Sequence, residues 1–330
     1  MKKTNRLSLL FVIVLIFSLA GGCQTAIDPW AGEDSGEESQ SADTKFEDAK
    51  AGQVYEVGNI IHAGDSILVV LGWDYYPGGT QFPPEVGYVH LAVDLMLANQ
   101  GKEPFEFSPG HSMTIKDPGE NIYYMNSFSG YVSGSVSPDA ELVPGEIIRG
   151  NVGFQVPEDQ VDLVLIFETD LDDLGDISVN LGPTPTFLAP PTDLNLKFKQ
   201  DIFHIGDSVE FLDLLVQVIE VSYPADDEIT RPEEGHKSLV IELRVENQGD
   251  GTLYFIGTDQ IYLKDSTGQK YHDDSLALPS GADDHVVGSL EPGEHIRGRI
   301  AFLVPEDGTG FTFVFDRDMF DYGKLFISVD

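Results

Sequence analysis

One cysteine in 330 residues excludes an intrachain disulfide and any metal or iron–sulfur site built from several thiolates. Basic residues are scarce as well, 19 Lys plus Arg against 56 Asp plus Glu, giving a formal net charge of −37 and a pI near 4.2. Phosphate neutralisation needs clustered Lys and Arg, so nucleic acid is excluded as a partner. The longest apolar run, Leu9 to Ala20 with Ser18 inside it, is too short for a comfortable membrane span. There is no convincing long amphipathic helix, no Gly-x-Ser-x-Gly nucleophile elbow, and no metal-ligand spacing among the eight His. What is present is 41% hydrophobic residues, enough for folded cores, together with 34 Gly, 19 Pro, 20 Phe and 12 Tyr. That usage favours many short strands joined by turns.

Lys2, Lys3 and Arg6 ahead of the apolar run have the build of a secretory signal peptide. Leu19-Ala20-Gly21-Gly22-Cys23 then places small residues directly before the sole thiol, and it resembles the lipobox of bacterial lipoproteins. The resemblance implies removal of residues 1–22 and lipidation at Cys23 with acyl chains such as palmitate. It also implies anchoring to the cell membrane, facing outside the cytoplasm in the bacterial envelope. Acyl chains at ~0.8 kcal/mol per buried methylene hold a protein stably when there are two or three of them. Residues 23–52 carry Asp28, Glu33, Asp34, Glu37, Glu38, Asp43, Glu47 and Asp48 among Ser, Gly and Gln, and read as a disordered acidic tether. Gly182-Pro183-Thr184-Pro185 and Ala189-Pro190-Pro191 mark 182–199 as a semi-rigid, proline-rich linker.

The rest is a duplication. Sliding the chain by 148 residues lays Gly87–Gly175 on Gly235–Gly323 without a gap. Leu91, Val93, Leu95 and Leu97 fall on Leu239, Ile241, Leu243 and Val245, and both series run into Asn-Gln-Gly, at Asn99 and Asn247. Lys116-Asp117 falls on Lys264-Asp265, and Pro144-Gly145-Glu146 with Arg149 falls on Pro292-Gly293-Glu294 with Arg297. Upstream, His62-Ala63-Gly64-Asp65-Ser66 is paired with His204-Ile205-Gly206-Asp207-Ser208 at an offset of 142, so a six-residue difference is expected before Gly87. The period of two predicts half-buried antiparallel strands, and Pro-Gly predicts type II turns. The expected fold is all-β: two tandem immunoglobulin-like antiparallel β-sandwiches over 53–181 and 200–330.

Gly-Asp-Ser, a Val/Leu strand ending in Asn-Gln-Gly, Lys-Asp, then Pro-Gly-Glu-x-x-Arg-Gly leading into Phe-x-Val-Pro, in that order and twice, is similar to the telokin-like, immunoglobulin-like extracellular domain of unknown function of bacterial lipoproteins. That resemblance implies a fold and an extracellular location, and carries no catalytic residues with it.

Three groups of residues could carry chemistry. Glu168, Asp170 and Asp173 fall on Asp316, Asp318 and Asp321, and spaced carboxylates after a strand suit calcium, a hard cation taking six to eight oxygens. Glu146 with Arg149, and Glu294 with Arg297, read as surface ion pairs at a strand start. Tyr75, Tyr76 and Phe82 lie in a loop expected only in the first copy, where exposed aromatics would make a contact site or, alternatively, fold back over an open sheet edge. The chain therefore reads as a non-enzymatic, envelope-anchored module that displays two domains to a protein, glycan or cationic ligand. A calcium-responsive adhesin and an envelope hydrolase are the alternatives.

Overall fold

The computed structural model describes residues 46–76, 82–126, 140–169, 174–225, 229, 233–256, 260–279, 286–316 and 323–330. Cys23 and most of the tether lie outside them. The first sandwich comprises β1 (Phe46–Asp48), β2 (Val54–Glu56), β3 (Ile60–Ala63), β4 (Ser66–Tyr76), β5 (Tyr88–Asn99), β6 (Phe105–Phe107), β7 (Met113–Lys116), β8 (Ile122–Tyr124), β9 (Ala140–Leu142), β10 (Ile147–Pro157), β11 (Val164–Phe167) and β12 (Ile177–Asn180). β13 (Thr186–Phe187) follows in the linker. The front sheet runs β1-β3-β4-β5-β10 with β13 on β4, the back sheet β2-β12-β11-β7-β8, and β6-β9 form a small ribbon.

The second sandwich comprises β14 (Ile202–His204), β15 (Val209–Phe211), β16 (Leu214–Ser222), β17 (His236–Asn247), β18 (Leu253–Ile256), β19 (Ile261–Lys264), β20 (Lys270–Tyr271), β21 (Val287–Leu290), β22 (His295–Pro305), β23 (Thr312–Asp316) and β24 (Lys324–Ser328). Its front sheet is β15-β16-β17-β22, its back sheet β14-β24-β23-β19-β20, and β18-β21 form the ribbon. The duplicated β-sandwich fold is therefore as expected. Pairing is antiparallel except that β2 joins β12, β14 joins β24 and β1 joins β3 in parallel.

Alternation explains the cores. Leu91, Val93, Leu95 and Leu97 on β5 point into one cluster with Trp73 and Phe154, and their partners on β17 point into the other with Phe302 and Phe313. Each such side chain, fully buried, contributes ~1.5–3 kcal/mol. The two predicted Pro-Gly turns form, with Gly145 and Gly293 both at φ +81° and the Glu146 and Glu294 amides closing back on Val143 and Glu291.

Several expectations are corrected. No six-residue offset exists, because the copies stay in step at 148 back to β2 and β14. Glu56 N–H bonds Asn59 as His204 N–H bonds Asp207, and Gly58 and Gly206 share φ near +90°. His62 therefore matches Glu210, not His204. Tyr75 and Tyr76 end β4 rather than lying in a loop, and Tyr75 matches Tyr223, with the same number of residues from each to the start of β5 or β17. Asn-Gln-Gly does not turn through positive φ; Gly101 is needed because a Cβ there would lie 2.6 Å from the Asp65 carboxyl carbon.

Phe46–Asp48, read from the sequence as tether, form β1 on the edge of the front sheet. The proline-rich linker packs as well. Thr186–Phe187 pair with β4, and Leu194 is buried with Ile60, Ile67, Val69, Leu71, Met96 and Ala98 on the outer face of the front sheet. This covering accounts for a sequence difference between the copies: Met96 and Ala98 are apolar where Arg244 and Glu246 face outward in the second.

Candidate functional site at the junction of the two sandwiches

Two of the polar residues common to both copies, the Asn of Asn-Gln-Gly and the Asp of Lys-Asp, brace loops. Asn99 Nδ2 donates to the Glu103 and Leu142 carbonyls at 2.9 and 2.8 Å while its Oδ1 accepts from Gly101 N–H at 2.8 Å. Asn247 does the same with Gly251, Leu290 and Gly249 at 2.7, 2.8 and 2.9 Å. Asp117 and Asp265 each accept from the backbone amide four residues on and from a tyrosine hydroxyl, Tyr123 or Tyr271. Buried polar atoms left without partners would cost ~1–3 kcal/mol each, which is why these residue types recur at these turns.

Glu146 and Arg149 are not a pair. Arg149 on β10 reaches Asp94 on the neighbouring β5 at 2.6 Å, and Arg297 on β22 likewise reaches Glu242 on β17 in the second copy. Spacing within one strand start could not reveal this, because the partner sits on the neighbouring strand. Glu146 instead enters the second sandwich. Its carboxylate is fully buried, with Oε1 3.3 Å from Lys264 Nζ and Oε2 3.0 Å from Lys324 Nζ. Lys324 also donates to the Glu141 carbonyl and sits 3.4 Å from Asp316. Around the charges, Val143 packs on Tyr262, Val314 and Phe326, Lys264 lies over the Phe326 ring at 5.0 Å, and Lys270 over Tyr262 at 4.8 Å.

Backbone contacts complete the junction. Arg149 N–H donates to the Gly268 carbonyl at 2.9 Å. Gly268, at φ +91°, has no room for a side chain, since a Cβ would meet the Ile147 carbonyl oxygen at 2.8 Å. The linker crosses the Pro144-Gly145 turn, where a Cβ on Gly145 would meet the Phe198 carbonyl oxygen at 2.8 Å.

Electrostatics follow from this enclosure. Burial opposes ionisation of Glu146, but Lys264 and Lys324 outweigh it and hold its carboxyl below the usual range. Burial pushes Lys264 down, and burial with the Lys324 charge pushes Lys270 down to about 8. Tyr262 is driven well above its ordinary value by burial and then by Glu146. Paired buried charges of this kind add little net stability over apolar packing, but losing one partner leaves the other buried and uncompensated.

The described residues include Tyr75, Tyr76, Phe82, Glu168 and Asp316 of the candidates read from the sequence. Tyr75 donates its hydroxyl to the Gln160 carbonyl at 2.7 Å and sets its ring edge-on to Trp73, and Tyr76 is buried. Phe82 is half-buried and its carbonyl oxygen lies 3.0 Å from His90 Nε2. These residues cover the sheet and do not project from it. Glu168 is exposed, and Asp316 is engaged by Lys324. Asp170, Asp173, Asp318 and Asp321 lie outside the described residues, among which no three His, Cys, Asp or Glu side chains are grouped to hold a metal ion. The junction residues had one signal in the sequence. Tyr262, Lys270, Lys324 and Phe326 replace Thr114, Ile122, Asp176 and Ser178 of the first copy, which gathers basic and aromatic side chains on one sheet of an acidic chain.

No curated protein matches the chain. Among solved structures, the yjhA protein of Bacillus subtilis aligns at 16% identity over 39% of this chain and 100% of its own, with a TM-score of 0.34. The ycdA protein of the same organism, described provisionally as a lipoprotein, aligns at 15% identity over 37% of this chain and 38% of its own, with a TM-score of 0.31. An uncharacterized β-sandwich protein of Clostridium difficile aligns at 14% identity over 41% of this chain and 98% of its own, with a TM-score of 0.27. The profile of the family described as "Domain of unknown function (DUF4352)" matches residues 55–176 and again 203–325, one match per sandwich, and the chain belongs to that family as a tandem pair.

Proposed function

We propose that the chain is a lipoprotein of the bacterial envelope, held by lipid at Cys23, in which two immunoglobulin-like sandwiches act together as one rigid binding or structural module. The observation that carries this reading is the Glu146 cluster. A buried carboxylate shared by two lysines of the other domain, with the linker packed over the first sandwich, supports a single fixed orientation in which both domains present one composite surface. Loops and sheet faces of that surface would meet a protein, glycan or cationic ligand, the last favoured by the net charge of −37.

Membrane fractionation of Cys23→Ser tests the anchor. The variant should leave the membrane fraction with its melting curve unchanged, and retention there sinks the reading. Chelation on the same preparation tests the calcium alternative, which requires a lowered melting temperature.

A further inference from the structure

The two copies differ at one sheet edge. In the first sandwich β1 lies parallel along β3, with Asp48 opposite His62 and the Ala49 N–H donating to the His62 carbonyl at 2.8 Å. In the second, Glu210 of β15 stands in the place of His62, pairing with Leu215 as His62 pairs with Ile67. Among the described residues no strand lies along the other side of β15. The segment equivalent to β1 is 194–196, and it is drawn onto the first sandwich, where Leu194 is buried and Leu196 packs beside it. The edge of β15 thus keeps the geometry that accepts a strand in the first copy, with no such strand among the described residues.

Further along this edge the copies part again. β13 fits on β4 because Gly72 has no side chain; a Cβ would lie 2.1 Å from the Thr186 carbonyl oxygen. Glu220 occupies that place in the second sandwich, so a strand running where β13 runs is blocked. Among the described residues, only the portion around Glu210 is left open. Its chemistry is acidic, with Asp207, Glu210 and Asp213 exposed, and exposed Ile205 and Leu212 flank the strand in sequence.

We propose that the outer edge of β15 binds an extended, basic peptide segment of another protein, added as a parallel strand with a Lys or Arg opposite Glu210. An unpaired edge supplies a ready row of backbone donors and acceptors, and strand addition is a recurrent mode of peptide recognition. The register seen in the first copy defines the partner. Residues placed like Glu47 and Ala49 bond the edge through their backbones, while the residue placed like Asp48 faces the Glu210 carboxylate. A segment of alternating cationic and apolar residues meets both requirements. The surface deepens the reading of the chain as a binding module, but its test does not depend on the anchor.

The test is fluorescence anisotropy on the full chain in detergent micelles, with a labelled peptide of alternating lysine and valine as the probe. A second peptide, with proline for each valine, keeps the charge but removes the N–H groups that the edge needs. Binding of the first should exceed the second by about tenfold or more, and Glu210→Pro should lower it by about tenfold at an unchanged melting temperature. Glu210→Gln should weaken it less. Hydrogen exchange at the Glu210 amide should slow when the first peptide binds, a readout independent of any variant. Equal binding of the two peptides, no binding of either, or an unprotected Glu210 amide would overturn the proposal, whereas failure of the anchor would show only in fractionation.

Discussion

Glu146 of the first sandwich and Lys324 of the second meet at 3.0 Å with both side chains almost wholly removed from water. The equivalent Glu294 makes the same local bond, accepting from the Glu291 amide as Glu146 accepts from Val143, yet remains exposed. One residue type thus serves one turn twice and a domain junction once.

Glu146→Gln should therefore destabilise the chain by about 3–5 kcal/mol, because it leaves two buried lysines facing each other, whereas Glu294→Gln should change it by about 0.5 kcal/mol or less. Calorimetric melts of the two variants check this, and equal effects would refute the contrast. The acid dependence has a definite sign. The Glu146 carboxyl is held below its ordinary value of 4.5, so its contribution is present above that value and is lost as pH falls through the lower folded value.

Lys270 carries the opposite linkage. Burial and Lys324 depress it to about 8 from 10.5, so the unfolded chain is the stronger proton binder and stability rises with pH across that window. Lys270→Met should stabilise the protein by about 1–3 kcal/mol near neutral pH, and that advantage should shrink as pH rises from about 8 to about 10.5. Urea melts of both proteins across the window measure it. A gain that does not change with pH would remove the buried charge as its cause.

Gly72→Ala should prise β13 from β4, since the added methyl would meet the Thr186 carbonyl oxygen at 2.1 Å and that neighbour is backbone. The expected cost is about 1–3 kcal/mol. Limited proteolysis should then cut the linker near Thr186 much faster than in wild type, and an unchanged digestion pattern would count against the packed linker.

Asn99→Ala and Asn247→Ala should each cost about 2–4 kcal/mol, three hydrogen bonds being lost at each buried hub. The two effects should agree within about 0.5 kcal/mol if the hubs are equivalent. Thermal melts decide it, and a large asymmetry would mean that the shared tripeptide serves different ends in the two copies.

The duplication, the alternating strands at Leu91–Leu97 and Leu239–Val245, and the Pro-Gly turns were legible in the linear chain because each rests on neighbours within a few residues. The offset upstream of Gly87 was misread because His-x-Gly-Asp-Ser recurs by coincidence of residue types, while hairpin register, which needs the partner strand, sets the true correspondence at Glu210. The candidate site was hidden for a related reason. Glu146 and Glu294 sit in the same Pro-Gly-Glu turn with the same near neighbours, so no local pattern separates the buried one from the exposed one.

Period-two alternation and turn chemistry are short-range properties, and with the repeat they establish a pair of sheet domains without reference to coordinates. Which surfaces of those domains meet is a long-range outcome: the linker folds back over Met96 and Ala98, the second back sheet comes against Val143 and Glu146, and three lysines far along the chain converge there. Burial and charge pairing between residues more than a hundred positions apart leave no periodic trace in the sequence, so they emerge only once the chain has packed.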